Sequence, residues 1–190
     1  MKLYKLSFLL FLVLGGCCKD EIVESKELNE FEKSLIPYNS FQELNFIDEQ
    51  GNTVIANSQP KESIFDKRRA GPESCRLFEY EREINSLNFQ SQNILIKIEL
   101  NNESLTDFFL TVIREHALPN EKFDLACDEL FSLTIQERLT NLTVNQFDFE
   151  NILVFQNCSE SAEIVKIIYS PTNGIEFIEF DNGTWLKLDN

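Results

Sequence analysis

The sequence predicts a mainly β protein: an antiparallel β-meander forming a curved sheet, half-barrel or sandwich, with one covering helix. Three observations carry that reading. Ile94, Ile96, Ile98 and Leu100 alternate with Asn93, Lys97 and Glu99, which is the period of a strand with one wet face. Phe147, Phe149, Leu153 and Phe155 likewise share one parity, opposite Asp148, Glu150, Ile152 and Val154. Finally, Asn173-Gly174 and Asn182-Gly183 each separate two apolar runs, and Asn-Gly suits the positive φ angles of tight hairpin turns.

Residues 1–16 read as a leader. Lys2 and Lys5 give a basic start, Leu6 to Leu14 is apolar apart from Ser7, and Gly15 and Gly16 are small residues suited to processing. At about 1.5 Å per residue the apolar run spans roughly 14 Å, about half a bilayer core, so cleavage is expected rather than a membrane span. Leu14-Gly15-Gly16-Cys17 resembles the lipobox of bacterial lipoproteins, which implies lipidation of Cys17 and a new N-terminus there. Acyl chains contribute roughly 0.8 kcal/mol per buried methylene, so two or three anchor a protein without any span. The following Lys19-Asp20-Glu21 resembles the export signal of Bacteroidota surface lipoproteins, and implies display on the outer face of the outer membrane, with the periplasmic face as the alternative.

Residues 17–34 are rich in charge, with sparse apolar positions at Ile22, Val23, Leu28 and Phe31, and read as the lipidated cysteine and its tether, ending in a short helix. Residues 35–190 then form a single β-rich domain. Phe41 to Ile47, the turn Asp48 to Asn52 and Thr53 to Ala56 predict a hairpin. Residues 57–74, with Pro60, Gly71 and Pro72, predict a loop. Its basic cluster Lys67-Arg68-Arg69 is expected to pair with acidic groups of this same domain.

From Cys75 to Ile84, Phe78, Tyr80 and Ile84 define an apolar face, with Glu79, Glu81 and Glu83 on the wet one. Phe108 to Ile113 is apolar on both faces and predicts a doubly covered strand. Phe123, Cys127, Leu130 and Phe131 recur at helical spacing after Pro119-Asn120, so 120–133 is assigned as the covering helix, with an irregular lid over the sheet as the alternative. Glu163 to Tyr169, Ile175 to Phe180 and Trp185 to Leu188 complete the meander.

Charge excludes one class of partner. Once Lys2 and Lys5 leave with the leader, 15 basic side chains face 32 acidic ones, a formal charge of −17. Such a surface repels nucleic acid and anionic head groups. With Cys17 lipidated, Cys75, Cys127 and Cys158 are the candidate disulfide cysteines, and Cys18 falls in the tether. No C-x-x-C zinc or redox pair occurs among those three.

Catalysis finds little support. The only histidine, His116, sits between charges, and no Gly-x-Ser-x-Gly or glycine-rich phosphate loop appears. Glu176 and Glu179 read as polar positions of a hairpin rather than a glycosidase pair. No metal and no cofactor is expected. Of the 17 phenylalanines, Phe8 and Phe11 lie in the leader, and the rest fill a β core or line an apolar cleft. Trp185 is expected to close the core.

The stretches LIPYNSFQELNF, GPESCRLFEYE, FENILVFQNCS and EIVKIIYSPTNGIEFIEFDNGTWLKL together resemble a group of small, uncharacterised Bacteroidota (flavobacterial-type) surface lipoproteins. The resemblance implies an anchored β-rich domain and carries no activity with it. The expected role is therefore non-enzymatic: binding an envelope protein or glycan at the cell surface, with the membrane engaged through the lipid. Carriage of a hydrophobic ligand in a Phe-lined cleft is the alternative.

Overall fold

The chain winds up and down around a closed ten-stranded barrel. The computed structural model describes residues 19–103, 106–114, 121–124, 134–157 and 162–189. In chain order the strands are β1 (Glu21–Lys26), β2 (Gln42–Asp48), β3 (Thr53–Ser58), β4 (Glu62–Arg69), β5 (Arg76–Phe89), β6 (Ile94–Asn101) and β7 (Asp107–Arg114). They continue as β8 (Glu121–Asp124), β9 (Thr140–Val144), β10 (Phe147–Asn157), β11 (Ile164–Ser170), β12 (Gly174–Phe180) and β13 (Trp185–Leu188). Around the wall the order is β5-β3-β2-β13-β12-β11-β10-β8-β7-β6, and β6 pairs β5 to close the ring. Closure removes the open edges that a free sheet of this length would expose. Three strands lie off the ring: β1 and β4 flank the projecting end of β5, and β9 pairs β10. The β1–β5 pairing is parallel, and every other pairing is antiparallel.

The alternation of β6 turns Ile94, Ile96, Ile98 and Leu100 inward, where they meet Phe108, Leu110 and Val112 of the neighbouring β7. Phe108, Phe155 and Tyr169 touch one another edge to face, with centroids 5.2–6.0 Å apart, and Phe46 meets Phe89 at 5.0 Å. Such pairs add roughly 0.5–1.5 kcal/mol each beyond the area they bury. The rings rest on one another, so side chains fill this lumen.

The stretch assigned as a tether is part of the fold. Residues 21–26 form β1, and a short helix α1 (Glu30–Ser34) follows, capped reciprocally by Asn29 and Glu32 at 3.0 and 2.8 Å. Leu28, Leu35, Ile36 and Tyr38 are all buried in the barrel core. Tyr169 Oη donates to the Leu35 carbonyl at 2.7 Å, and the Ile175 N–H donates to Tyr38 Oη at 2.8 Å. Of the sparse apolar residues of this segment, Leu28 is buried in the barrel core and Phe31 packs against it, whereas Ile22 and Val23 of β1 are exposed.

Residues 57–74, assigned as a loop, contain β4. Its eight residues pair in register with β5 from Glu62 opposite Ile84 to Arg69 opposite Leu77. Charge along β4 hid the strand, and charge is what an exposed edge strand carries. The basic cluster pairs within the domain as expected: Lys67 with Glu79 at 3.3 Å, Arg68 with Glu103 at 3.0 Å and Arg69 with Asp20 at 3.2 Å.

The faces of β5 are exchanged relative to expectation. Glu81, Glu83, Asn85, Leu87 and Phe89 point in and are buried, whereas Tyr80, Arg82 and Ile84 lie on the more exposed side. The parity was readable, but the first half of the strand placed its acids on the core side because cations meet them there. The assigned helix over 120–133 is also corrected at its start, since Glu121–Asp124 is strand β8, with Phe123 buried opposite Leu110. The remainder of that segment lies outside the described residues.

One further departure concerns β10. Asn151 has φ of +53°, and the register with β9 shifts between Phe149 and Ile152. This bulge moves the inward parity by one residue. Leu153 and Phe155 therefore face the lumen, while Phe149 and Ile152 join Ile168 and Phe177 in a second cluster outside the barrel wall. The four aromatic and aliphatic positions read as one face belong to two cores. Trp185 closes the outer one, stacked on Phe177 at 5.9 Å and edge-on to Phe147 at 5.2 Å.

Candidate functional site

The barrel wall has a break where β5 exchanges neighbours. β3 pairs β5 only at Asn57 opposite Asn88 and Ser58 opposite Leu87, and β4 begins opposite Ile84. Between them Gln59 and Pro60 carry the chain across, held by the Gln59 N–H on the Ser86 carbonyl at 2.9 Å. Proline cannot donate to a ladder, so a break at this point is what the sequence allows. Asn85 Nδ2 donates to the Gln59 carbonyl and bridges the gap from below.

A cleft of about 360 Å³ opens over this break. Phe41, Glu62, Ser86 and Lys97 line it together with Gln59 and Asn85. Phe41 is 72% exposed, the most exposed large apolar side chain among the described residues. Asn85 is only 2% exposed, yet its Oδ1 has no hydrogen-bond partner. Neither Glu62 nor Lys97 enters an ion pair among the described residues. The cleft thus combines an open apolar ring, an unsatisfied buried acceptor, an unpaired carboxylate and an unpaired ammonium. That set can hold a small polar ligand against Phe41 between Glu62 and Lys97, whereas the buried Asn85 Oδ1 is closed to it.

A second polar group lies at the foot of the plug. Glu81 accepts from the Leu28 N–H at 2.9 Å and from Ser63 Oγ at 2.8 Å, and it pairs with Lys33 at 3.1 Å. Lys61 pairs with Glu83 at 3.2 Å and donates to the Lys33 carbonyl at 2.6 Å. Burial pushes the Glu81 carboxyl up, but hydrogen bonds from Ser63, Leu28 and Lys33 outweigh it and hold the group below its ordinary value. Burial dominates at Glu83 and raises it, with Lys61 opposing. The hydrogen bond and charge of Glu81 raise Lys33. Each carboxylate is tied to its own cation, so this pair clasps the plug to β5 and offers no free acid and base.

The residues singled out in the sequence fall in several places. Cys17, Cys127, Cys158 and His116 lie outside the described residues. Lys19 is exposed, Asp20 pairs with Arg69, and Glu21 opens β1 opposite Arg76. Cys75 is disulfide-bonded. Glu179 pairs with Lys166 at 2.8 Å and Glu176 accepts from Asn173 Nδ2 at 3.0 Å, as polar positions of a hairpin do. Among the described residues no group of three acidic, histidine or cysteine side chains is placed to hold a metal ion. Sequence reasoning missed Asn85 and Phe41. The usable signal was the polar run Glu81, Glu83, Asn85 on the parity that continues into Leu87 and Phe89. No family model, curated protein or solved structure matches this chain.

Proposed function

We propose that this chain is a lipid-anchored envelope protein, displayed at the cell surface, that binds its partner on the outside of a filled barrel and catalyses nothing. The observation that carries the reading is the contact among Phe108, Phe155 and Tyr169 in the lumen, which supports binding on the outer surface, with the cleft beside Phe41, Glu62 and Lys97 as the candidate place for a ligand. It favours surface recognition over carriage of a hydrophobic cargo. The wall supports an anchor in place of a span. Apolar side chains of β6 and β7 face in while Lys97 and Glu99 face out, the reverse of a barrel that crosses a bilayer.

Native mass spectrometry of the full protein from its own envelope tests the binding half. The expected mass is the mature polypeptide plus covalent acyl chains. A hydrophobic molecule that stays bound until denaturation would sink the filled-barrel reading and identify a carrier. Protease shaving of intact cells tests display, since a fully protected domain places the protein on the periplasmic face.

A further inference from the structure

We infer that Cys75 is joined to Cys18, so that a disulfide staples the residue next to the lipid anchor onto the start of β5. Cys75 is in a disulfide, and the other cysteines are Cys17, Cys18, Cys127 and Cys158. The ladder registers decide among them by reach.

Cys158 follows Asn157, whose rung runs through Phe123, Leu110 and Ile98 to Asn85 on β5. Ten residues separate Asn85 from Cys75, about 33 Å of strand. One peptide step of about 3.8 Å and a disulfide Cα separation of at most about 7 Å do not cover that distance. Cys127 is three residues beyond Asp124, which pairs with Gln156 one rung nearer, at the level of Ile84. Three residues reach roughly 11 Å against about 30 Å along β5, with three strand spacings still to cross.

Cys18 has no such gap to close. The Glu21 N–H donates to the Cys75 carbonyl at 2.7 Å, Glu21 pairs with Arg76, and Asp20 pairs with Arg69 across the same turn. Three residues from that hydrogen bond lie within disulfide reach. Cys17 is the residue that carries lipid under the reading above, which leaves Cys18.

The choice of Cys18 over Cys17 rests on that reading, and so does its consequence. With Cys18 fixed to β5, a single peptide bond separates the acylated residue from the domain. The projecting β1–β5–β4 end faces the membrane, and the cleft at Asn85 sits about 33 Å up the strand from the anchor.

Non-reducing tryptic digestion of the full protein, with free thiols first blocked by N-ethylmaleimide, tests this directly. Cys75 falls in the fragment 70–76, Cys127 in 123–138 and Cys158 in 139–166. The expected product is 70–76 linked to an acylated fragment that ends at Lys19 and separates on reduction. Linkage to an unacylated 6–19 would overturn the anchored staple, because the choice of Cys18 over Cys17 rests on Cys17 carrying lipid. Linkage to 123–138 or 139–166, or maleimide on 70–76 of the wild-type chain, would overturn the staple. As a second arm, Cys18→Ser is expected to turn 70–76 from unlabelled to fully labelled, while Cys127→Ser and Cys158→Ser leave it unlabelled. The opposite pattern refutes the pairing.

Discussion

Tyr38 Oη accepts the Ile175 N–H at 2.8 Å and lies where a Cβ on Gly174 would stand, 1.9 Å from that oxygen. The N-terminal plug and the β11–β12 turn are therefore built around one absent methyl group. Gly174 also has φ of +77°, a conformation that costs a side-chain-bearing residue roughly 1–2 kcal/mol. Gly174→Ala must bear that strain and expel a buried tyrosine, so a loss of about 3 kcal/mol or more is expected. Tyr38→Phe keeps the ring and orphans one buried N–H, for about 1–3 kcal/mol. Urea denaturation of both variants checks the ranking, which is Gly174→Ala worse than Tyr38→Phe.

The two buried acids of β5 should respond to pH in opposite senses. Glu81 is held low in the fold, so its contribution is present above its unfolded value near 4.5 and is lost as pH falls through the lower folded value. Glu83 is raised by burial, so its contribution is complete below 4.5 and is lost as pH rises through the higher folded value. Glu81→Gln is expected to cost about 2–3 kcal/mol at pH 7, because it weakens three charge-assisted contacts. Glu83→Gln is expected to cost less at pH 7 and to flatten the decline above pH 4.5. Urea midpoints on both sides of pH 4.5 measure both effects, and parallel profiles for the two variants would contradict the assignment.

How far the fold was legible depended on whether one parity stayed with one neighbour. β6 was readable because Ile94 to Leu100 keep a single register along their length, and the C-terminal meander because its two Asn-Gly turns separate apolar runs, although β11 and β12 shift register twice. β10 was readable as a strand but not as a divided one, since Asn151 carries no sequence mark that announces a positive φ. β4 was missed because its charged side chains pair with residues distant in sequence, Arg68 with Glu103 and Arg69 with Asp20, and β1 because its strand partner β5 lies far along the chain. The cleft was hidden for the same reason. Phe41, Asn85 and Lys97 come together only where β5 exchanges β3 for β4, a relationship between chain segments that no local window contains.

The β9–β10 turn offers a stabilising change. Asn145 and Gln146 both have positive φ, 50° and 71°. Asparagine tolerates this region, whereas glutamine has no such advantage and bears the cost. Gln146→Gly therefore restores the Asn-Gly pair and is expected to raise stability by about 0.5–1 kcal/mol, after the entropic cost of glycine. A higher thermal midpoint is the readout. A fall would mean that the Gln146 side chain contributes more than its backbone loses.

Two phenylalanines outside the barrel wall separate folding from binding. Phe149 is 4% exposed, beneath the hairpin and 5.7 Å from Phe177, so Phe149→Ala should cost about 3–4 kcal/mol and loosen the cluster that holds Trp185. As Trp185 is the sole tryptophan, its emission should shift to the red in that variant before global unfolding. Phe41 is 72% exposed at the lip of the cleft, where removing the ring takes little apolar area out of the folded state. Phe41→Ala should therefore leave the urea midpoint and the Trp185 emission within error of the wild type. Burial explains why Phe149 is there and does not explain Phe41, so a marked loss of stability on removing Phe41 would return it to the core and leave the cleft without its apolar wall.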